Sequence, residues 1–200
     1  YLDPLRVLSW MARRTRKIML GTGVLILPHR STLPLAKAIA SREELSAGRF
    51  ILGVGVGWMD PEFRALGVPR NKRGKIFEDT LSFINDCFEK DIMVSNGQEF
   101  IFKPRPKKPA ILLGGMSAAA FDRAVNLGVG WFPIGRFSEI KDRIKLFHDL
   151  TERKYGRPSD VVTYYNFSGQ SETHFFDELN SYRDAGISRV IINRKYGTAD

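Results

Sequence analysis

Apolar and polar positions alternate along this chain in two rhythms. In "LDPLRVLSWMARRT", Asp3 and Pro4 stand ahead of Leu5, Leu8 and Ala12, a capping residue and a first-turn proline before one apolar helix face. "KIMLGTGVLIL" is instead mostly apolar and ends at Pro28, which predicts a strand buried on both faces, as parallel sheets require. The alternation recurs: a helix from about Leu33 to Ser46, ended by Gly48, precedes the strand "RFILGVGVG". A loop around "MDPEFRALGVPRN" leads to a long helix with Phe77, Leu81, Ile84 and Phe88 at helical spacing, then to a turn and short extra strand at "NGQEF". Strand "PAILLGG", helix "SAAAFDRAVNLG", strand "GWFPIG" and helix "SEIKDRIKLFHDLTERKYG" follow, and strand "VVTYYNF", helix "ETHFFDELNSYRDAG" and strand "SRVIINR" close the pattern.

Six buried strands separated by five helices, with a sixth helix in front, predict an α/β protein with a parallel sheet. Six strands suit a doubly wound sheet, whereas a (β/α)8 TIM barrel needs eight and about 250 residues. The sequence starts at a helix without an initiator methionine and stops after a strand with no covering helix. We therefore expect an incomplete barrel of six strands, lacking two earlier strands and a last helix, with residues 1–200 as a single domain.

Composition narrows the function classes. With 200 residues, 43% hydrophobic and 12% aromatic, the chain can bury one good core. It has no apolar run of about eighteen residues to span a bilayer and no leader-like start, so no membrane partner and a cytoplasmic location are expected. The single cysteine, Cys87, excludes an internal disulfide and a multi-cysteine metal site. The net charge of +9 raises the question of nucleic acid. The charges are spread, however, and the densest group, "KPRPKKP" (103–109), is broken by three prolines. No zinc, helix-turn-helix or RNA-stacking signature accompanies them, so an anionic small-molecule ligand is the better expectation.

The glycines carry the chemistry. Gly53, Gly55 and Gly57 sit at alternate positions, and G-x-G-x-G followed by Trp58, Asp60-Pro61, Gly67 and Pro69 leaves no long helix before about Asn71. A dinucleotide fingerprint needs its helix to begin at the glycines, which disfavours that reading. Alternate residues of a strand face one way, so these glycines clear one face, for a flat ligand or to relieve crowding inside the fold. Gly21 and Gly23 end the preceding strand and Gly114 and Gly115 a later one, so three strands end in glycine where barrel sites are built. Gly114 to Ser117 also leads into a helix N-terminus, whose N–H groups favour phosphate.

Taken in order, "LGTGVLILPHRSTLPLAKAIASREELSAGRFILGVGVGWMDPEFRALGVPRNKRGKIFED", "PAILLGGMS" and "GWFPIG" resemble the bacterial luciferase-like monooxygenase superfamily, closest to its deazaflavin (coenzyme F420) dependent oxidoreductases. The resemblance covers nearly the whole chain. It implies a TIM barrel binding FMN or F420, a homodimer, and a chain that begins at the second helix, so that the family's catalytic histidine would precede it and the catalytic residues remain unassigned. It further implies a non-prolyl cis peptide at Gly23–Val24 against the cofactor ring, with Gly55, Gly57 and Trp58 beside the ring or substrate. Some sugar-phosphate-oxidising relatives carry a glutamate acid at the place of Trp58, and tryptophan cannot transfer a proton. The phosphate contacts map to Gly114, Gly115, Met116 and Ser117, with Arg136 as the basic residue after the following strand, a position that also suits a solvated surface charge. Glu43 stands where the family has aspartate, Arg42 where it has leucine, and the acidic pair after "RG" reads Glu78-Asp79.

The functional expectation is F420-dependent hydride transfer with a small organic substrate. The alternatives are an FMN-dependent monooxygenase using reduced flavin and oxygen, or a flavin-binding protein without turnover. His29 follows a strand end and could line the site or lie at the surface. His148 and His174 lie in helices without ligand spacing, so no metal is expected. Cys87 falls between apolar helix positions as a buried small hydrophobe.

Overall fold

The computed structural model describes residues 2–194. Two compact units divide the chain, residues 1–111 and 112–200.

In the first unit, α1 (Pro4–Arg14) is capped by Asp3, whose carboxylate accepts from the Arg6 N–H at 3.0 Å and pairs with Arg30 at 2.6 Å. The run expected as one strand is two short ones, β1 (Leu20–Gly21) and β2 (Leu25–Ile26), both parallel to β3 (Phe50–Gly55). Leu20 pairs with Phe50 but Leu25 with Val54, so the β1–β2 side carries one extra residue. That is a bulge, and it ends the continuous strand. The Gly23–Val24 peptide within it is cis, as the resemblance implies.

Between β2 and β3 runs α2 (Thr32–Ser46), which ends on Ala47 and Gly48, both with positive φ, and buries Leu35, Ala36, Ile39 and Ala40. Arg49 ties this helix end to α1: its guanidinium donates to the carbonyls of Ala12, Thr15, Ile18 and Ser46. After β3 come a short helix missed by the sequence reading, α3 (Asp60–Ala65), and the long α4 (Arg73–Glu89) with Phe77, Leu81, Ile84 and Phe88 buried. "NGQEF" belongs to an antiparallel hairpin, β4 (Ile92–Ser95) with β5 (Gln98–Ile101). Asn96 and Gly97 both have positive φ, as a two-residue turn of matching twist requires. In the basic loop that follows, Arg105 pairs with Asp91 and Lys108 with Glu89.

The second unit begins within β6 (Ala110–Gly114), which pairs in parallel with β7 (Gly130–Phe132), Leu113 opposite Trp131 and Gly114 opposite Phe132. Trp131 bridges in parallel to Val161, just ahead of β8 (Val162–Phe167), and β8 pairs in parallel with β9 (Arg189–Arg194). The helices α5 (Ala118–Leu127), α6 (Phe137–Tyr155) and α7 (Glu172–Asp184) separate these strands. Phe121, Trp131 and Phe147 form the aromatic centre, with ring centroids 5.1 to 5.7 Å apart. One expectation fails: β9 is not a buried strand, because only Val190 among its residues is even half-buried. An apolar run such as Val190-Ile191-Ile192 reads as buried whether or not both its faces are covered.

Candidate functional site

The first group of site residues lies around the bulge. Gly53, Gly55 and Gly57 clear space, and protein fills it. A Cβ on Gly53 would lie 1.9 Å from the Thr22 carbonyl oxygen, one on Gly55 2.7 Å from the Val24 side chain, and one on Gly57 2.8 Å from Ile26 and 3.0 Å from the Phe63 ring. The alternation therefore serves the close approach of Thr22–Ile26 to β3, the second of the two roles the alternate glycines allow. The Thr22 hydroxyl donates to the Gly53 carbonyl at 2.7 Å and fastens the bulge there. Only backbone atoms of Gly55 and Gly57 remain for a ligand to meet. Val24 is half-buried and Gly23 exposed.

Trp58, the next residue along, is 75% exposed, which removes the alternative of a plain core aromatic. His29 stacks edge-on against Phe63 at 4.5 Å, with Nδ1 3.9 Å from the Glu62 carboxylate. Glu43, at the end of α2, is buried and accepts from the Phe50 N–H at 3.3 Å, and burial pushes its carboxyl above the usual range. Cys87 is buried and its thiol is pushed up to about 11 by the same cause, so it is a core residue and no nucleophile.

The second group lies at the end of β6. Gly114 is the last strand residue, and Gly115 turns the chain with φ +137°, a conformation that side chains strain. Ser117 caps α5, accepting from the Ala120 N–H on Oγ at 3.2 Å and on its carbonyl at 3.1 Å. The Gly115 N–H donates to Phe132 O at 3.2 Å. The carbonyls of Gly115 and Met116 accept from the Trp131 indole at 2.9 Å and the Arg143 guanidinium at 2.6 Å. What the turn retains is donors, the N–H groups of Met116, Ser117, Ala118 and Ala119, at the positive end of a ten-residue helix. Donors of this kind can receive an anion.

Arg136 is exposed at the start of α6 and its N–H bonds the Glu139 carboxylate at 3.1 Å. It lines an open cavity of about 870 Å³, together with Tyr164, Asn166, Gln170 and Asn193. The Tyr165 hydroxyl, also on this cavity, donates to Glu178 and accepts from Gln170 at 3.0 Å. Burial, aided by the Glu178 carboxylate, pushes Tyr165 up to about 12, which makes it a fixed hydrogen-bonding post. Sequence reasoning missed the roles of Trp131, Arg143 and the Tyr165–Glu178 pair, because each acts on a partner thirteen or more residues away in the chain. Among the described residues no group of three or more His, Cys, Asp and Glu could hold a metal, and no helix is long and apolar enough to cross a membrane.

Comparison with known proteins places this geometry. The family model of the luciferase-like monooxygenases matches residues 1–168. An uncharacterised protein of Mycobacterium tuberculosis, Rv0953c, is 27% identical over 209 residues, covering all of this chain and 72% of that protein. The 5,10-methylenetetrahydromethanopterin reductase of Archaeoglobus fulgidus is 30% identical over 129 residues, 62% of this chain and 39% of the reductase. Among solved structures, the monooxygenase RslO1 of Streptomyces bottropensis matches with a TM-score of 0.73 at 20% identity, over 92% of this chain and 60% of that one. The oxygenating constituent of 3,6-diketocamphane monooxygenase from Pseudomonas putida, solved with FMN, gives 0.70 at 15% identity, over 93% and 66%. The coenzyme F420 dependent tetrahydromethanopterin reductase of Methanopyrus kandleri gives 0.69 at 13%, over 96% and 82%. These likenesses carry the α/β barrel fold, and the chain spans 60% to 82% of those structures' own length. The chain belongs to the luciferase-like monooxygenase family.

Proposed function

We propose that the chain is the cofactor-binding part of an oxidoreductase that uses the deazaflavin F420 for hydride transfer with a small organic substrate. The observation that carries the reading is the Gly114–Ser117 turn, whose carbonyls at Gly115 and Met116 are taken by protein donors and whose N–H groups are left for an anion. Both F420 and FMN carry a phosphate, so this chemistry fits either group. Identity to the archaeal reductase, together with the likeness to an F420 dependent reductase, supports F420. When bound, such a cofactor supplies the hydride, and the protein supplies position and electrostatics. In this reading Gly114, Gly115, Met116 and Ser117 hold the phosphate, and Arg136 adds a charge-assisted donor. Gly23 and Val24 of the bulge, the backbone of Gly55 and Gly57, and the exposed indole of Trp58 meet the ring or the substrate beside it. No residue among 2–194 is assigned as catalytic acid or base, and the intact protein is taken as a cytoplasmic homodimer.

A second reading, an FMN-dependent monooxygenase using reduced flavin and oxygen, is favoured by the likeness to the FMN-bound camphor enzyme. Titration of the intact protein with F420 and with FMN, each oxidised and reduced, separates the two. The proposal expects F420 to bind at least about tenfold tighter, a difference of about 1.4 kcal/mol. Preference for reduced FMN moves the assignment to the monooxygenase. Binding of a cofactor without any turnover over a substrate panel makes it a flavin carrier, and binding of neither overturns the reading.

A further inference from the structure

Two residues remote from the phosphate turn in sequence hold it from behind. Trp131 is fully buried in β7, and its indole N–H donates to the Gly115 carbonyl at 2.9 Å. Arg143, half-buried on α6, lays its guanidinium 5.0 Å from the Phe121 ring centroid and 5.1 Å from that of Trp131, and donates to the Met116 carbonyl at 2.6 Å. The arginine is thus gripped by two aromatic faces, which fixes a side chain that would otherwise lose much rotamer freedom to make one bond.

The chemistry explains why this matters to an anion. Every peptide of a turn presents either its N–H or its C=O toward a given side, and a carbonyl aimed at a phosphate repels it. Here the Gly115 and Met116 carbonyls are captured by donors and the Ser117 carbonyl by the Ala120 and Phe121 N–H groups. The φ of +137° at Gly115 is the conformation that lets its own N–H reach Phe132 O while its carbonyl reaches the indole. With three successive carbonyls committed, the adjoining amides are oriented before any ligand arrives, and preorganised donors bind without the cost of ordering themselves.

We propose that Arg143 and Trp131 are positioning residues for the cofactor phosphate: they touch no ligand, and act by locking the Gly115–Met116 carbonyls away from it. The inference rests on the phosphate reading of this turn given above. Its signature is selective, because a loosened turn costs only the part of the affinity that comes from phosphate.

The test measures dissociation constants of FMN against riboflavin, and of F420 against its phosphate-free chromophore, for the intact protein and three variants. Arg143→Met keeps an apolar side chain at the two rings and removes the bond to Met116. Trp131→Phe keeps most of the aromatic volume and removes the bond to Gly115 without changing charge. Arg143→Lys retains charge and a donor but loses the stacked plane. We expect the preference for the phosphorylated ligand to fall about tenfold in Arg143→Met and about threefold in Trp131→Phe, in line with charged and neutral hydrogen bonds. Arg143→Lys falls between wild type and Arg143→Met, and affinity for the phosphate-free ligands changes less than twofold in all three. Equal weakening of both ligands means a merely structural role and overturns the inference. So does an unchanged preference in folded variants, checked by thermal unfolding, or full restoration by lysine together with no effect of Trp131→Phe, which would reduce Arg143 to a charge. If the wild-type protein itself shows no preference for phosphate, the reading of the turn falls first and the inference with it.

Discussion

The glycines in and after β3 and those at the end of β6 look alike in sequence and differ in what their missing side chains allow. At Gly53 and Gly55 the missing side chains make room for the Thr22–Ile26 bulge, and Gly57 adds to such a contact, with Ile26 and Phe63, a φ of +78°. At Gly115 the missing side chain allows a φ of +137°, and the result is a backbone whose donors are spare. The difference lies in spacing. Alternate glycines empty one face of a strand for a neighbour to enter, whereas adjacent glycines at a strand end change the direction of the chain. A glycine-rich strand end is therefore no ligand site until its neighbours are known.

The largest effect should come from filling the first kind of space. Gly53→Ala drives a methyl into the Thr22 carbonyl at 1.9 Å, and neither backbone can give way without breaking the bulge. We expect a loss on the order of 3 kcal/mol or more, read as insoluble protein or a collapsed thermal midpoint. Normal stability of that variant would mean the bulge is not pressed against β3. Gly55→Ala clashes with the Val24 side chain at 2.7 Å and meets Ile26 only at an ordinary 3.5 Å, so its smaller loss should be recovered in large part by Val24→Ala in a double-mutant cycle. Additive losses would show that the two sites do not share the space.

Most of this scaffold was legible because its signals are local. Asp3, Ser117 and Ser171 cap helices, Gly128 and Gly156 end them in left-handed geometry, and the helix faces follow from periodicity. The split of "KIMLGTGVLIL" was not legible, since a bulge is a one-residue difference in register between two strands and only the pairing reveals it. The exposure of β9 was hidden for a similar reason, because apolar residues state what could be buried and not what covers them. For the candidate site, the ordered motifs offer backbone positions only. The side chains that aim those backbones lie sixteen and twenty-seven residues from their partners: Arg143 belongs to no motif, and Trp131, though inside "GWFPIG", carries no sign there of the carbonyl it reaches.

Substitution in the second kind of glycine sharpens the contrast. Gly115→Ala suffers backbone strain of about 1–3 kcal/mol and a 2.9 Å approach to the Ala120 methyl, so stability should fall moderately. Cofactor affinity should fall further than stability does, in contrast to Gly53→Ala, where the fold itself is lost. Arg136→Ala comes next. Its guanidinium is exposed beside an open cavity, so a charge-assisted contact there should give about a tenfold loss of F420 or FMN affinity at low salt and less as screening rises. Affinity that is independent of Arg136 at low salt would remove it from the phosphate site.

The smallest effect probes the opposite end of β3, where Glu43 meets the Phe50 N–H. Its carboxyl is pushed above the ordinary value of 4.5 by burial, against the pull of that hydrogen bond and of Lys107. An acid whose folded pKa is raised holds its proton more tightly in the native state than in the unfolded chain. Below 4.5 both states are protonated and the group is without penalty. As pH climbs from there through the raised value, the unfolded chain ionises first and native stability declines. Glutamine keeps an acceptor for the Phe50 N–H and cannot ionise, so Glu43→Gln should melt slightly higher than wild type at pH 7 to 8 and alike near pH 4. The measurement is the thermal midpoint of both proteins across that range. A difference that is constant with pH would mean the carboxylate is solvated in the native state, and that the start of β3 is less tightly enclosed by protein than its glycine-lined end.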